Sequence, residues 1–600
     1  MALGRLFSAA FATSLLLVSA HGLAQICPDP PPLTNPSPAA CATDAKPVTA
    51  IPAKLDQPNT KYCIAQSLAG GGAGVIEIAA DGVELDGAQV PVGADVKIGN
   101  VKHVTVRRLN TTGTLGMGAT GTPSDVTISE CRFDHGDAYV AQVFAVSGLH
   151  VADSVFRCDC PATTAENRCV NFEPATPGNL IDDLVFERNR VESDCVKNMK
   201  LVGGVPYGTG GTVRHTLTDN VFFSKYAAAQ GDEITNFTWR NAPAGKAAAE
   251  RNVFSKNLLV SAGNANSIYL RDDLDNADFS DNCLDLRNPG GLPVFYGAII
   301  PSSGNDPPAT DPSGLHFERN LVYAHDAPAI YVQGYEENPT ADDNRTLFRY
   351  NVLASGSASA VYHGAQTGAF WQHNTIYSGA DTQPGFVFDK PTVVREVEFA
   401  DNIFGCRNQK DGTRFYCFVL PGAASDYAGK NNLFFNFANP ALDVYQGGAI
   451  SLADWMKSGE DPGSIGKDPA FVDLAKLDFH LTEGSPARNA ASDGTDIGAF
   501  QFDHGGGPGF GGSGGGAGAP SGGTAGIASG GAGTGALGGT SAGGSSAAGG
   551  SGAKATGSDD DGGCGCRSAR DRTRAPFAFV LAVLAAGVGA ARRRQPRRRA

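Results

Sequence analysis

The stretch LHFERNLV at 315–322 decides the fold, because its pattern recurs down most of the chain. An apolar residue is followed two places later by another. An Asn comes three further on, and an apolar residue two beyond that. The pattern returns as LVFERNRV at 184–191, HTLTDNVF at 215–222, VFSKNLL at 253–259, ADFSDNCL at 277–284, TLFRYNVL at 346–353, AFWQHNTI at 369–376, VEFADNIF at 397–404 and AGKNNLFF at 428–435. Three earlier copies, VTVRRLNT at 104–111, VTISECRF at 126–133 and LHVADSVF at 149–156, put Leu109, Cys131 and Ser154 in the Asn slot. The Asn slots proper are Asn189, Asn220, Asn257, Asn282, Asn320, Asn351, Asn374, Asn402 and Asn432.

Twelve copies at a fixed internal pattern mean a solenoid or a propeller. Slot to slot the steps are 22, 23, 35, 31, 37, 25, 38, 31, 23, 28 and 30 residues. Steps in the low twenties are too short for a propeller blade of about 40–50 residues, but they suit one coil of short strands. The longer steps then carry insertions. Apolar and polar residues alternate before each slot, as in a strand with one buried face. Asn tolerates the left-handed backbone and bonds neighbouring backbone groups, so the slot is expected to be a buried, stacked corner.

With these features the chain resembles the right-handed parallel β-helix proteins of pectate-lyase-like type. The resemblance covers residues 62–503 and implies an all-β solenoid of about twelve or more coils. IEIAADGVELDG at 76–87 looks like an opening coil, and 451–501 looks like the closing coils. Ser451 is expected to cap a short helix there, with Asp454 completing an acidic capping box. The family acts on or binds carbohydrate, in a groove on the outer face of one sheet.

The ends have their own compositions. Residues 1–24 read as a secretory signal peptide: Arg5, an apolar stretch, then small residues before a cleavage point. Residues 25–61 are a Pro-rich lead-in, pinned by Cys27 or Cys41. Residues 504–563 are a Gly/Ala/Ser-rich tether that cannot bury a core. Residues 564–600 combine Cys564 and Cys566, the apolar run 575–591 and a terminal Arg cluster. This tail resembles the sorting tail of myxobacterial surface proteins. It implies processing at Cys564 or Cys566 and display at the cell surface, with membrane contact only through the tail.

The formal charge is −14 overall, yet 564–600 carries +9 and residues 25–503 carry −22. Such an acidic solenoid is a poor partner for nucleic acid. It also disfavours a polyanionic ligand such as pectate or alginate unless Ca²⁺ bridges, although local charge can override the net value. Of the thirteen Cys, two lie in the tail, and the other eleven cannot all pair internally. Cys406 and Cys417 flank one loop, Cys158 or Cys160 can close on Cys169, and Cys131 in its inward slot reads as a buried thiol.

Residues two and four places before each slot point outward on adjacent coils. One patch in these columns gathers titratable groups: Asp278, His316, Glu318 and Arg349. A His or Arg there could take a proton from a sugar carbon while a carboxyl acts as acid; the bland reading, a surface ion pair between Glu318 and Arg349, is favoured over it. The loop RDDLDNAD places Asp272, Asp273, Asp275 and Asp278 within eight residues, a set of hard oxygen donors suited to Ca²⁺, the one cofactor suggested. A solvated acidic turn is its structural counterpart. Asp219, Asp281 and Asp401 precede an Asn slot and read as corner residues. The expected function is a surface-anchored β-helix that binds or degrades polysaccharide or cell-envelope glycan, as a lyase or glycoside hydrolase. The alternative is a non-catalytic adhesin or structural surface protein.

Overall fold

The computed structural model describes residues 27–502 apart from 34–36, 69–73, 137–138, 161–166, 175, 204–212, 228–233, 241–250, 264, 272–276, 288–297, 303–313, 333–345, 365–367, 389–396, 408–415, 421–426, 439–442 and 447. Almost every described element is a strand, and the strands stack into three long sheets of 15, 13 and 16 strands. Each coil runs through the first sheet (15 strands), turns the slot corner into the second (13), crosses to the third (16) and returns. Pairing within the three sheets is parallel, save for an antiparallel end strand, Ala449–Ser451. The chain is a right-handed parallel β-helix, as its repeat predicts. Strands begin earlier than expected. Lys46–Pro47 and Ala53–Leu55, inside the stretch read as lead-in, already pair into the first and third sheets. They are too short to show any alternation.

The slot residues stack as predicted. Each Asn from 189 to 432 is buried. The backbone N–H of one slot Asn donates to Oδ1 of the next, at 2.9–3.1 Å from Asn189 through Asn402. Each Nδ2 reaches back to the carbonyl three residues before the preceding slot, at 2.7–3.0 Å. Ser154 and Cys131 divide these roles. Ser154 Oγ accepts the Cys131 N–H (3.0 Å), and Cys131 Sγ contacts Val106 O (3.7 Å), where an Asn amide would donate. Buried in this position, the Cys131 thiol is pushed up to about 12 by desolvation, so it is an inert part of the ladder.

The left-handed residue is not the Asn. It is the residue before it, from Arg108 to Asn431, with φ between 50° and 59° in all twelve copies. Asn uses its amide; the preceding residue points outward and takes the strained conformation whatever its side chain. Left-handed backbone in non-Gly residues costs roughly 1–2 kcal/mol each, which the ladder bonds offset. Outward corner residues also pair along the axis: Arg188 bonds Asp153 and Arg319 bonds Asp281, both bidentate at 2.8–2.9 Å.

Inside the coils, the residue three before the slot forms an aromatic column from the Asn257 copy to the Asn402 copy. Phe254, Phe279, Phe317, Phe348, Trp371 and Phe399 follow one another with centroids 4.0–6.3 Å apart. The C-terminal end is closed by the helix Leu452–Lys457. Ser451 Oγ accepts the Asp454 N–H (3.1 Å), as the expected cap requires, and itself donates to the Asp454 carboxylate (2.7 Å), while Trp455 is buried. The ladder ends there, on Ser464 Oγ and Asp461. The following chain does not add coils. It packs Phe479 onto Tyr377, on the outer side of the second sheet.

Two inward-facing histidines are fully buried. His215 Nε2 donates to Ile181 O (2.8 Å) beside Trp239, and His363 Nδ1 donates to Gly364 O (2.6 Å) among Trp371, Phe386 and Phe388. Burial outweighs these bonds and lowers both from 6.5 to about 4.

Two outcomes follow from this packing. Replacing Asn320 with Leu removes the acceptor of the Asn282 N–H and the donor to Phe279 O. The loss should be about 1–3 kcal/mol for each buried group left without a partner, read as a lower denaturant midpoint. An unchanged midpoint would contradict the ladder. Acid should destabilise the coils in a defined window. The unfolded chain takes up protons at both His near pH 6.5, while the folded chain resists until about pH 4. Stability is therefore lost as pH falls from 6.5 to 4, by at most about 3 kcal/mol per His. His363→Phe should flatten a melting-temperature profile over that range.

Candidate functional site

The predicted outward columns match the observed register throughout. Val253, Asp278, His316 and Leu347 are consecutive partners, as are Ser255, Ser280, Glu318 and Arg349. The four candidate residues are therefore neighbours. Asp278 Oδ1 lies 3.2 Å from His316 Nδ1, and Glu318 Oε1 lies 2.9 Å from Arg349 Nη2. The chemistry is that of an ion-pair web. Arg251, which the repeat did not single out, also bonds Asp278 Oδ1 (2.6 Å), and Arg319 bonds Glu318 Oε2 (3.1 Å) and Asp281. Burial would lift the Asp278 carboxyl, but His316 and Arg251 together hold it below its ordinary value. That is the opposite of what a general acid requires.

Of the acidic loop read as a cation site, only Asp278 lies among the described residues. Asp272, Asp273 and Asp275 lie outside the described residues. Asp278 already shares one oxygen with a guanidinium, which competes with Ca²⁺ for the same charge. Among the described residues, the ligand atoms of Cys160, Asp194 and Cys195 lie within 4.8 Å of one another. The two cysteines are joined in a disulfide, so neither offers a thiolate. Cys564, Cys566 and the apolar run 575–591 lie outside the described residues. No helix among those described is long and apolar enough to cross a membrane.

Connection lengths single out a different face. From the first sheet to the second, every slot corner is two residues long, from Arg107 to Asn110 through Lys430 to Leu433. The insertions fall at the other two corners. Segments 159–167, 225–234, 287–297 and 407–415 lead from the second sheet to the third, and 203–214, 241–251, 303–315 and 333–345 lead from the third to the first. Only the third sheet has insertions along both edges.

Its outward face carries a charged cluster on the strands Arg168–Phe172 and Lys197–Val202. These strands are adjacent, with Arg168 opposite Lys197 and Asn171 opposite Lys200. Glu173 is bridged by Arg168 Nη1 (2.7 Å) and by Lys200 Nζ. Arg168 also bonds Asn171 Oδ1 (3.3 Å). Lys197 and Lys200 are only 5% and 4% exposed, which is rare for lysines outside a paired or functional setting. Two disulfides, Cys158–Cys169 and Cys160–Cys195, fasten the chain immediately around these strands. Further along the same column come Thr238 and Tyr269, and beyond them Tyr331 opposite Tyr362. From Lys200 to Tyr362 is five steps of about 4.8 Å, roughly 24 Å.

Sequence reasoning missed this cluster because its strands lack clean alternation. Asn198 is fully buried within Lys197–Val202 and bonded at 2.8 Å to Asn236 on the next strand, Thr235–Arg240. A usable signal was present. Cys158, Cys160, Cys169 and Cys195 crowd around it, where the repeat steps lengthen to 35, 31 and 37 residues.

No protein-family model matches the chain, and no curated protein matches it. Among solved structures, the A-module of the mannuronan C-5 epimerase AlgE4 of Azotobacter vinelandii is similar at 13% identity, over 65% of this chain and 86% of that one, with a TM-score of 0.24. A likeness of that size carries no information on what this chain acts on.

Proposed function

We propose that the chain is a surface-displayed β-helix that binds a polysaccharide along the outer face of its third sheet. One observation carries this reading. A salt-bridged Arg168–Glu173–Lys200 cluster, with Lys197 beside it, lies on the one face bordered by insertions along both edges. Among the described residues, Arg168, Lys197 and Lys200 share this spot with the Glu173 carboxylate, on a solenoid whose 25–503 region carries −22. A saccharide carrying carboxylate or sulfate groups complements that spot. The tyrosines further along supply ring faces with a polar tip, the surface on which a sugar ring and its hydroxyls can rest.

Binding without cleavage is the reading the carboxylates favour. Asp278, Glu318 and Glu173 are each bonded to two or more cationic or imidazole partners. A hydrolase needs one carboxyl kept protonated for the leaving oxygen, and Asp278 is shifted the other way. A lyase is the second reading. Cations that neutralise a sugar carboxylate also acidify the proton beside it, and Lys200 and Arg168 are placed to do so.

Display at the surface rests on the tail. Cys564 and Cys566, the apolar run 575–591 and the closing Arg cluster are the parts a sorting signal needs, and 504–563 would serve as a flexible tether.

A panel of neutral and acidic glycans separates these readings. Acidic polymers should bind the full chain, and Lys200→Ala or Tyr362→Ala should weaken binding at least tenfold, whereas His316→Ala should not. Equal binding by the third-sheet variants, with melting temperatures like the parent's, would remove the assignment. Unsaturated products absorbing in the ultraviolet would convert it to a lyase. For the tail, intact-mass analysis of surface-exposed protein should end near Cys564 or Cys566. Recovery of peptides from 592–599 in that material would leave a plain membrane anchor instead.

A further inference from the structure

The N-terminal segment runs back along the solenoid. Cys27 is bonded to Cys283, 256 residues away, on the second-sheet strand Cys283–Leu286. Asp29 Oδ1 accepts from Arg287 Nη1 (2.7 Å) just past that strand, and the carbonyl of Pro31 accepts from Arg190 on the strand Arg190–Ser193. The Ala39 N–H then donates to Ala88 O (2.9 Å), and Arg108 Nη2 donates to Ala40 O (3.3 Å). Cys41 is bonded to Cys63, in the opening coils. The segment thus touches a middle coil at Cys283, an earlier one at Arg190 and the opening coils at Ala88 in turn, antiparallel to their order of addition.

Its length matches its span. From the strand Pro91–Val92, beside Ala88, to the strand Cys283–Leu286 there are seven inter-strand steps in the second sheet. At about 4.8 Å each they cover roughly 34 Å. Cys27 and Ala39 are twelve residues apart, and six of the residues between them are Pro (28, 30, 31, 32, 36 and 38). Pro-rich chain extends at about 3.1 Å per residue, which gives roughly 37 Å for twelve. Stiff composition and matched reach are what a strut needs. A slack linker would use Gly and Ser, as 505–557 does.

We propose that the segment between Cys27 and Cys41, described at 27–33 and 37–41, acts as a length-matched brace, closed by the Cys27–Cys283 bond after the intervening coils have stacked, which holds those coils against axial separation. Coils of a solenoid contact only their neighbours, so peeling from an end is the weak mode. The brace acts in parallel with every interface between its two disulfides. It also makes the N-terminal half thiol-sensitive: reducing one bond opens the brace while the coils themselves contain no need of it. The cluster on Arg168–Phe172 and Lys197–Val202 falls within the braced coils, although the brace does not depend on any ligand there.

Shortening the strap tests the length match. A full chain lacking residues 31–36 leaves six steps between Cys27 and Ala39, at most about 21 Å when fully extended. That cannot reach across roughly 34 Å, even with the 5.7 Å Cα–Cα separation of the disulfide added. Alkylation and peptide mapping under non-reducing conditions should find Cys27 and Cys283 as free thiols, with the other four bonds intact. A six-residue Gly/Ser insertion at the same place should keep the bond. Cys27→Ser with Cys283→Ser should lower the melting temperature by several degrees and leave the β-sheet circular dichroism unchanged, as should the deletion. A Cys27–Cys283 bond in the shortened chain would overturn the length match. A double-Ser variant that melts like the parent would overturn the bracing role.

Discussion

The two-residue corner between the first and second sheets is the constraint on which the rest of the fold depends. At each coil from Asn189 to Asn432 a buried Asn amide joins its neighbours, and in every copy the residue ahead of the slot takes a strained left-handed conformation. An added residue there would remove the slot amide from its neighbours and leave buried N–H and C=O groups unpaired, each costing about 1–3 kcal/mol. The corner therefore admits no insertion in any copy. Variation is left to the other two corners. Both border the third sheet, so the ladder, which binds no ligand, selects the face where a ligand site can be built.

Charge follows the same division. Along the slot corner and on the first sheet, charged residues face partners one coil away: Arg188 with Asp153, Arg319 with Asp281, Arg349 with Glu318. Parallel coils about 4.8 Å apart put equivalent residues within ion-pair reach, so alternating signs relieve repulsion in an acidic solenoid. Such pairs are worth little individually when exposed. Their regularity is that of a surface keeping a long stack soluble. The third-sheet cluster breaks this pattern. Its lysines are buried beside Glu173, and disulfides fasten the chain around it.

How far the sequence could be read depended on what the ladder governs. The strand before each Asn alternates cleanly, so both outward columns, and with them the adjacency of Asp278, His316, Glu318 and Arg349, were legible to the residue. The third sheet was not, because its strands turn polar residues such as Asn198 and Asn236 inward, and alternation gives no reliable inside or outside there. The role of Asn was legible, but not which residue carries the strain, because the residue before the Asn points outward and varies freely from Arg to Asp to Tyr. Arg251 was hidden for another reason. It lies two residues ahead of the repeat, and only folding brings it to Asp278 on the next coil.

The cysteines show the two kinds of constraint side by side. Three disulfides, Cys158–Cys169, Cys160–Cys195 and Cys406–Cys417, secure connections between the second and third sheets, at a corner the ladder does not control. Two more fasten the N-terminal segment, which has almost no core of its own. The eleventh cysteine of the solenoid region, Cys131, stays reduced because it occupies a ladder slot, where its thiol faces Val106 O and its N–H is taken by Ser154. Covalent bonds are thus placed where repeated hydrogen bonds cannot act, and the one cysteine inside the ladder is a hydrogen-bonding residue first.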